Sequence, residues 1–345
     1  MKRKSKSPLS KLGEFGLIDR IQNRQAFASK SVVRGIGDDC AVYRTSPGRF
    51  QVITTDALVE NVHFIRKSHP PELLGRKTLA VSLSDLAAMG AKPILAVLAL
   101  GVPRTLDLKF LDRFFAGFHG MCREFSVELA GGDTVRSPKE FWVSLTLVGD
   151  VPAKRFFTRS GAKAGHVLMV TGTLGDSALG LKLLSGKTGT PPISQKEKSF
   201  LMQRHFAPEP RIDFSRKIAA SSIRVSSMID VSDGLVQDLG HLCHMSGKGA
   251  DLDGAAVPRS KQFEKVIKNK NLDEFPLCFE GGEDYELLFT TPPEDVKKII
   301  TVAKKVGLPV SEIGKITRHP GRIRLLQENE SPKHLKPTSG YNHFS

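Results

Sequence analysis

Along this chain, carboxylates recur beside glycine or another small residue at the edges of apolar segments: Gly35-Ile-Gly-Asp-Asp39, Ser84-Asp85-Leu86, Gly131-Gly-Asp-Thr134, Asp230-Val-Ser-Asp-Gly234 and Gly281-Gly-Glu-Asp284. The glycines permit tight turns. A strand-like run over Gln51–Thr55 then delivers another carboxylate, Asp56, with Thr54 and Thr55 beside it at the strand's C-terminal end, where α/β proteins place ligands. A chain patterned this way is expected to fold so that the acids share a cation site.

At 345 residues the chain exceeds the size at which a single core stops growing, so two domains are expected. Hydrophobic content of 40%, charged content of 25% and 31 glycines fit a globular protein of mixed α/β character. Cys40, Cys122, Cys243 and Cys278 are scattered without a Cys-x-x-Cys pair, which argues against a disulfide framework or a zinc ribbon and fits a reducing cytoplasm. The basic start Lys2-Arg3-Lys4 leads into Ser and Pro rather than an apolar segment, so no secretory signal is read there. The longest apolar run, Ile94–Val102, is too short for a bilayer, and no membrane partner is expected. The formal charge of +15 invites a nucleic-acid reading. Five basic residues lie within the first eleven positions, however, the others are spread, and no recognition motif accompanies them. Nucleic acid is therefore not expected as the main partner.

Residues 1–12 read as a basic, mobile extension, followed by a short amphipathic helix at Leu17–Ile21. Pro71–Gly90 reads as a helix opened by Pro and closed by Gly, with an almost wholly apolar second half that encloses Asp85. Asp85 is either an exposed helix-face residue or a paired or metal-bound carboxylate, and the apolar density around it favours the second reading. Ile94–Leu100 and Phe141–Val148 read as strands and Leu106–Phe125 as a helix, with Gly131–Thr134 between them as a turn or a site. A boundary falls near Pro152–Gly165, giving domains over 13–152 and 153–345.

In the second part, Gly172–Asp176 precedes a helix and has the composition of a weak phosphate cradle. The insert Lys182–Lys198 contains Gly186-Lys187-Thr188, which imitates a P-loop end but follows a helix and misses the glycine spacing by one. Asp233 fits a helix cap as well as a site, whereas Asp230, at a strand end, does not fit a cap. His241, Cys243 and His244 read as helix-surface residues rather than metal ligands.

Oxygen ligands without histidine or thiolate partners select magnesium, calcium or manganese, with magnesium the default. Clustered magnesium among glycine-rich turns points to phosphate and hence nucleotide chemistry. The common nucleotide motifs are absent: there is no P-loop, Gly35-Ile-Gly37 lacks the third glycine of a dinucleotide fingerprint, and no kinase His-Arg-Asp or Asp-Phe-Gly triplet occurs.

The ordered set Gly13-Glu-Phe15, Gly35-Ile-Gly-Asp-Asp-Cys40, Thr55-Asp56, His63-Phe64, Leu83-Ser-Asp-Leu-Ala-Ala-Met-Gly90, Gly131-Gly-Asp-Thr134, Arg159-Ser-Gly161, Asp230-Val-Ser-Asp-Gly-Leu235, Gly281-Gly-Glu-Asp-Tyr285 and Gly340-Tyr341 resembles the thiamine-monophosphate kinase family of the aminoimidazole ribonucleotide synthetase-like superfamily. The resemblance covers nearly everything from Gly13 to Phe344. It implies a two-domain α/β (α+β) fold, with an N-terminal mixed sheet and helices and a C-terminal α/β domain. The activity it implies is ATP-dependent phosphorylation of thiamine monophosphate to thiamine diphosphate with ADP release, the last step of thiamine diphosphate biosynthesis, in a cytoplasmic homodimer whose site lies between the domains. In the family pattern Asp39, Thr54, Thr55, Asp56, Asp85, Asp133, Asp230 and Asp233 match magnesium ligands. Gly132, Asp133, Arg159 and Ser232 match ATP-binding positions, and His63, Glu283 and Tyr341 match the thiamine-phosphate pocket. Asp38 adjoins the site with no role assigned.

This resemblance agrees with elementary chemistry. A phosphate monoester acceptor is mostly dianionic near neutral pH because its second pKa is about 6, so no general base is expected. The obstacle is repulsion between two anions brought in line, which several magnesium ions would relieve. Sibling enzymes fit less well: a selenophosphate synthetase needs a reactive residue near the N-terminus, yet the first cysteine is Cys40, and a carbamoyl-dehydrating hydrogenase-maturation relative ends in cysteine, yet this chain ends in Ser345. Aminoimidazole ribonucleotide synthetase itself fits the His63-Phe64 and Gly281–Tyr285 pattern less well. A non-catalytic basic RNA-binding protein is the alternative from another class, and the intact acid set argues against it.

Overall fold

The computed structural model describes residues 8–153, 155–186, 193–328, 330–341 and 343. Most of the basic extension, the middle of the 182–198 insert with its Lys187-Thr188 pair, and the terminal Phe344 lie outside the described residues.

The first domain runs α1 (Pro8–Gln22), β1 (Val32–Arg34), β2 (Ala41–Ser46), β3 (Arg49–Val59), α2 (Pro71–Ala88), β4 (Lys92–Pro103), α3 (Leu108–Phe125), β5 (Glu128–Ser137) and β6 (Trp142–Pro152). Its sheet has the order β1-β2-β3-β6-β4-β5, antiparallel except for the parallel β4–β5 pair joined through α3. One face is covered by α2 and α3. Their backbones approach so closely that a Cβ at Gly75 would fall 1.9 Å from Phe114 O, and one at Gly117 1.9 Å from Glu72 O. Only glycine fits at either crossing point.

The second domain runs β7 (Val167–Thr171), α4 (Asp176–Leu184), α5 (Gln195–Phe206), α6 (Ile212–Ala220), β8 (Ser227–Val231), α7 (Leu235–Ser246) and β9 (Gly249–Asp253), then α8 (Lys261–Lys270), α9 (Phe275–Cys278), β10 (Glu286–Thr291), α10 (Val296–Lys305), β11 (Val310–Thr317), β12 (Ile323–Leu326) and β13 (Lys333–Leu335). The sheet order is β13-β12-β9-β11-β7-β10-β8. Strands β7, β8 and β10 are buried on both faces along their whole length, burying Asp230 and Glu286 among apolar neighbours. Alternate residues serve different cores. Met169, Met228, Leu287 and Phe289 join the core that contains α2 and the first sheet, whereas Leu168, Val170, Ile229 and Leu288 enter a core beneath α4 and α7. Helix α2 packs on β3 and β6 of one domain and on α6 and β8 of the other, so it is shared between the two.

Several elements differ from their sequence reading. Helix α1 begins at Pro8 and is interrupted at Gly13, whose φ of 69° lies in the left-handed region. Asp56 stands inside β3 rather than beyond its end. Gly131–Thr134 forms the middle of β5, because backbone pairing with β4 overrides a composition typical of turns. Cys243 is a core residue of α7 rather than a surface one.

Candidate active site

A cavity of about 870 Å³ opens between the domains, with Asp56, Asp85 and Asp230 at one end and His63, Glu283 and Tyr341 at the other. At the acidic end, strand alternation sets the faces. Thr54 and Asp56 point from β3 toward α2, where Thr54 Oγ1 donates to Asp85 Oδ2 at 2.5 Å and Ser82 Oγ donates to Asp56 Oδ2 at 2.6 Å. Ser84 Oγ, from the same helix, reaches across to Asp230 Oδ2 at 2.6 Å. Asp39, from the acidic turn after β1, is gripped by Arg159, whose Nη2 and Nε donate to its Oδ1 at 2.8 and 3.1 Å. The adjacent Asp38 has a structural role: its Oδ1 accepts the Arg159 backbone N–H at 2.9 Å.

Carboxylate oxygens of Asp39, Asp85 and Asp230 all lie within 4.8 Å of one another. Burial, the larger cause, and mutual repulsion raise these acids: Asp85 sits well above the usual carboxylate range and Asp230 is pushed up to about 7. Buried like charges brought this close stay ionised only beside a compensating cation and otherwise take up protons. The second oxygen of Asp39 is buried with no hydrogen-bond partner among the described residues, as expected of a ligand awaiting a metal. The all-oxygen donor set suits Mg²⁺.

Not every expected ligand joins this group. Thr55 points to the opposite, open face of the first sheet, where its Oγ1 accepts from Thr146 Oγ1 at 3.1 Å. Asp133 and Gly132 lie exposed on the edge strand β5. The ladder Asp56–Leu145–Leu98–Gly132 puts three strand spacings, about 14 Å, between Asp56 and Gly132 within one chain. Asp233 stands apart from the trio, near Asp238 and His241, and its carboxylate accepts from Gln237 Nε2 at 3.0 Å. Asp238, unmarked in the sequence reading, shapes this corner by accepting the Ser232, Asp233 and Gly234 N–H groups, each at 3.1 Å.

The other end of the cavity is built from distant segments. His63 Nδ1 accepts the Val59 N–H at 3.0 Å, and burial lowers the pKa of its ring. Gly282 lies so near Ser232 O that its Cβ would be 2.3 Å away, which brings Glu283 beside Ser232; Glu283 N donates to Ser232 O at 2.7 Å. Glu283 bonds Lys77 Nζ at 2.8 Å and lies 3.2 Å from His205 Nδ1. Burial alone would raise the Glu283 pKa, but Lys77 and His205 outweigh it and hold the carboxylate well below its ordinary range. Tyr341 is tied down through its backbone, donating to Asp233 O at 3.1 Å and accepting from Gln237 Nε2 at 3.0 Å, while its ring meets His343 edge-on at 4.9 Å. The glycine turn before α4 is not free to take phosphate, because Asp284 accepts Gly175 N–H at 2.7 Å and Ser177 N–H at 3.3 Å there.

Two family descriptions match the chain: "AIR synthase related protein, N-terminal domain" over residues 37–151 and "AIR synthase related protein, C-terminal domain" over residues 163–325. Among curated proteins, the thiamine-monophosphate kinase of Haemophilus influenzae is 36% identical over 336 residues, covering 96% of this chain and 98% of that protein. The chain belongs to the thiamine-monophosphate kinase family. Other members of the family agree: that of Bacillus subtilis is 32% identical across 96% of this chain and its own full length. The solved structure described as AaThiL complexed with AMPPCP and TMP superposes with a TM-score of 0.81 at 32% identity, over 96% of this chain and 99% of that one. The hydrogenase maturation protein HypE in complex with ATP, at 18% identity and a TM-score of 0.66, shares the fold.

Proposed function

We propose that this protein transfers the γ-phosphoryl group of ATP to the phosphate of thiamine monophosphate, releasing thiamine diphosphate and ADP. The observation that carries the reading is the trio Asp39, Asp85 and Asp230, with one orphaned buried oxygen on Asp39, of which Asp85 and Asp230 line a cavity that the carboxylate of Glu283 also lines. Asp39, Asp85 and Asp230, with Asp56 and Thr54 beside them, would hold Mg²⁺, which supplies charge neutralisation and orientation to the phosphoryl groups. Arg159 fixes Asp39 and stands where an ATP phosphate would extend its ion pair. The acceptor phosphate is already dianionic near neutral pH, so no side chain has to remove a proton, and none is assigned that role. His63, Glu283 and Tyr341 take the organic part of the acceptor.

The reading includes a homodimer. The first sheet has one covered face and one open face carrying Thr55, Ala57, Val97, Asp133 and Val135, with Val97 41% and Val135 42% exposed. Apposition of two such faces would bury these residues and bring Asp133 and Gly132 of one protomer toward Thr55 of the other. Domain limits at 13–152 and 153–345 and a cytoplasmic location belong to the same proposal; no described helix is long and apolar enough to cross a membrane.

The test is acceptor choice. Purified protein with ATP and Mg²⁺ is expected to convert thiamine monophosphate but neither unphosphorylated thiamine nor aminoimidazole precursors, and to stop when Mg²⁺ is chelated. Equal use of thiamine would contradict the assignment.

A further inference from the structure

Lys77 is fully buried on α2, outside the cavity lining, yet its ammonium donates to Glu283 Oε1 at 2.8 Å and to His205 O at 3.2 Å. His205, from the end of α5, approaches the other carboxylate oxygen at 3.2 Å and Ser177 Oγ at 3.2 Å. A buried lysine is costly unless paired, so this arrangement is over-determined by contacts from separate parts of the chain. The Glu283 backbone has φ 66° in the left-handed region, a conformation that is strained in a non-glycine residue and is retained only where surroundings enforce it. Its side chain is 25% exposed and lines the cavity, while Lys77 is 0% exposed behind it.

We propose that Lys77 is a positioning residue: it acts through Glu283, holding that carboxylate as a fixed hydrogen-bond acceptor for the amino-bearing heteroaromatic part of the acceptor substrate. The inference rests on the function proposed above. An ionised carboxylate accepts only, so the group it meets must donate. Because Lys77 neutralises the charge, the pair selects by direction rather than by net attraction for any cation. Val62, Ile65 and Phe206, which line the same end of the cavity, supply apolar surface for a flat ring.

The test uses the full chain with steady-state kinetics in both substrates. Wild-type turnover of thiamine monophosphate comes first: without it the functional reading fails and this inference falls with it, and with it the variants report on Lys77 alone. Lys77→Met is expected to raise KM for thiamine monophosphate about tenfold, the scale of one lost directional hydrogen bond, with kcat and KM for ATP within about twofold of wild type. Lys77→Arg, which keeps the charge, should lie between the two. The double variant Lys77→Met/Glu283→Gln leaves no unpaired buried charge, and its acceptor KM should equal that of Glu283→Gln alone, since both changes act through one group. If Lys77→Met does not fold, that double variant decides the matter. An acceptor KM unchanged in Lys77→Met, a parallel rise in KM for ATP, or additive effects in the double variant would overturn the proposal.

Discussion

Ser84 Oγ donates to Asp230 Oδ2 at 2.6 Å, and this one bond ties the helix shared by the two domains to a strand end of the second domain. It fixes the separation of Asp85 from Asp230, because Asp85 follows Ser84 on the same helix. Ser84→Ala leaves a buried carboxylate oxygen without its donor and is expected to cost about 1–3 kcal/mol. Thermal melts at fixed Mg²⁺ should show that loss together with a raised Mg²⁺ concentration for half-maximal turnover. A melt shift with unchanged Mg²⁺ dependence would mean that the bond only holds the domains.

Asp85 separates stability from activity. Burial and the nearby Asp56, Asp230 and Asp39 already oppose its charge, so Asp85→Asn removes repulsion. Phosphoryl transfer should fall on the order of 10³-fold or more, as when other groups that steady the transferring charge are lost. The melting temperature measured in chelator should be unchanged or higher. A variant that is less stable and nearly as active would dissociate Asp85 from the chemistry.

Asp133 tests the dimer. Within one chain, β5 is separated from β3 by β6 and β4, so Asp133 cannot join the Asp56 end of its own cavity. Asp133→Asn and Asp85→Asn should each be inactive alone. Mixed after dissociation, they should recover about a quarter of wild-type turnover, because about half the dimers are hybrids and each hybrid has one intact site. No recovery, with hybrids verified by mass, would place Asp133 in its own protomer's site or outside the chemistry.

His69 predicts acid lability. It is buried with its Nε2 3.2 Å from Phe206 O, and burial followed by the Lys77 charge lowers its pKa to about 3. The folded state therefore binds fewer protons than the unfolded chain between that value and the ordinary histidine pKa of about 6.5. The stability His69 contributes is present above about 6.5 and is lost as pH falls through about 3. Melting temperatures of wild type should drop as pH is lowered below about 6, and His69→Gln should flatten that drop. Parallel curves would remove His69 from the account.

What the sequence disclosed followed from locality. Asp39 stands out because it follows a glycine turn, Asp85 because it adjoins Ser84 within an apolar helix half, and Asp230 because it ends an apolar run just before Ser232-Asp233-Gly234, patterns visible in a short window. Thr55 shows a signal available but unused: the two-residue strand period already sets it opposite Thr54 and Asp56. Gly131–Thr134 carries turn composition, and only its pairing with β4, a long-range event, makes it strand. Lys77 and His205 were not legible as part of the site. Lys77 meets a carboxylate 206 positions away, and nothing near it in sequence announces that partner beyond its place beside an apolar helix half. Asp238 was hidden because an acid in the first turn of a helix is ordinary.

The most direct measurement is phosphorus NMR of a single reaction holding the purified protein, ATP, Mg²⁺ and thiamine monophosphate. The account predicts that the monophosphate resonance is replaced by the paired resonances of thiamine diphosphate, with ADP formed in equal amount and no inorganic phosphate. ADP accompanied by inorganic phosphate, or an acceptor resonance that persists while folded protein binds ATP and Mg²⁺, would contradict it.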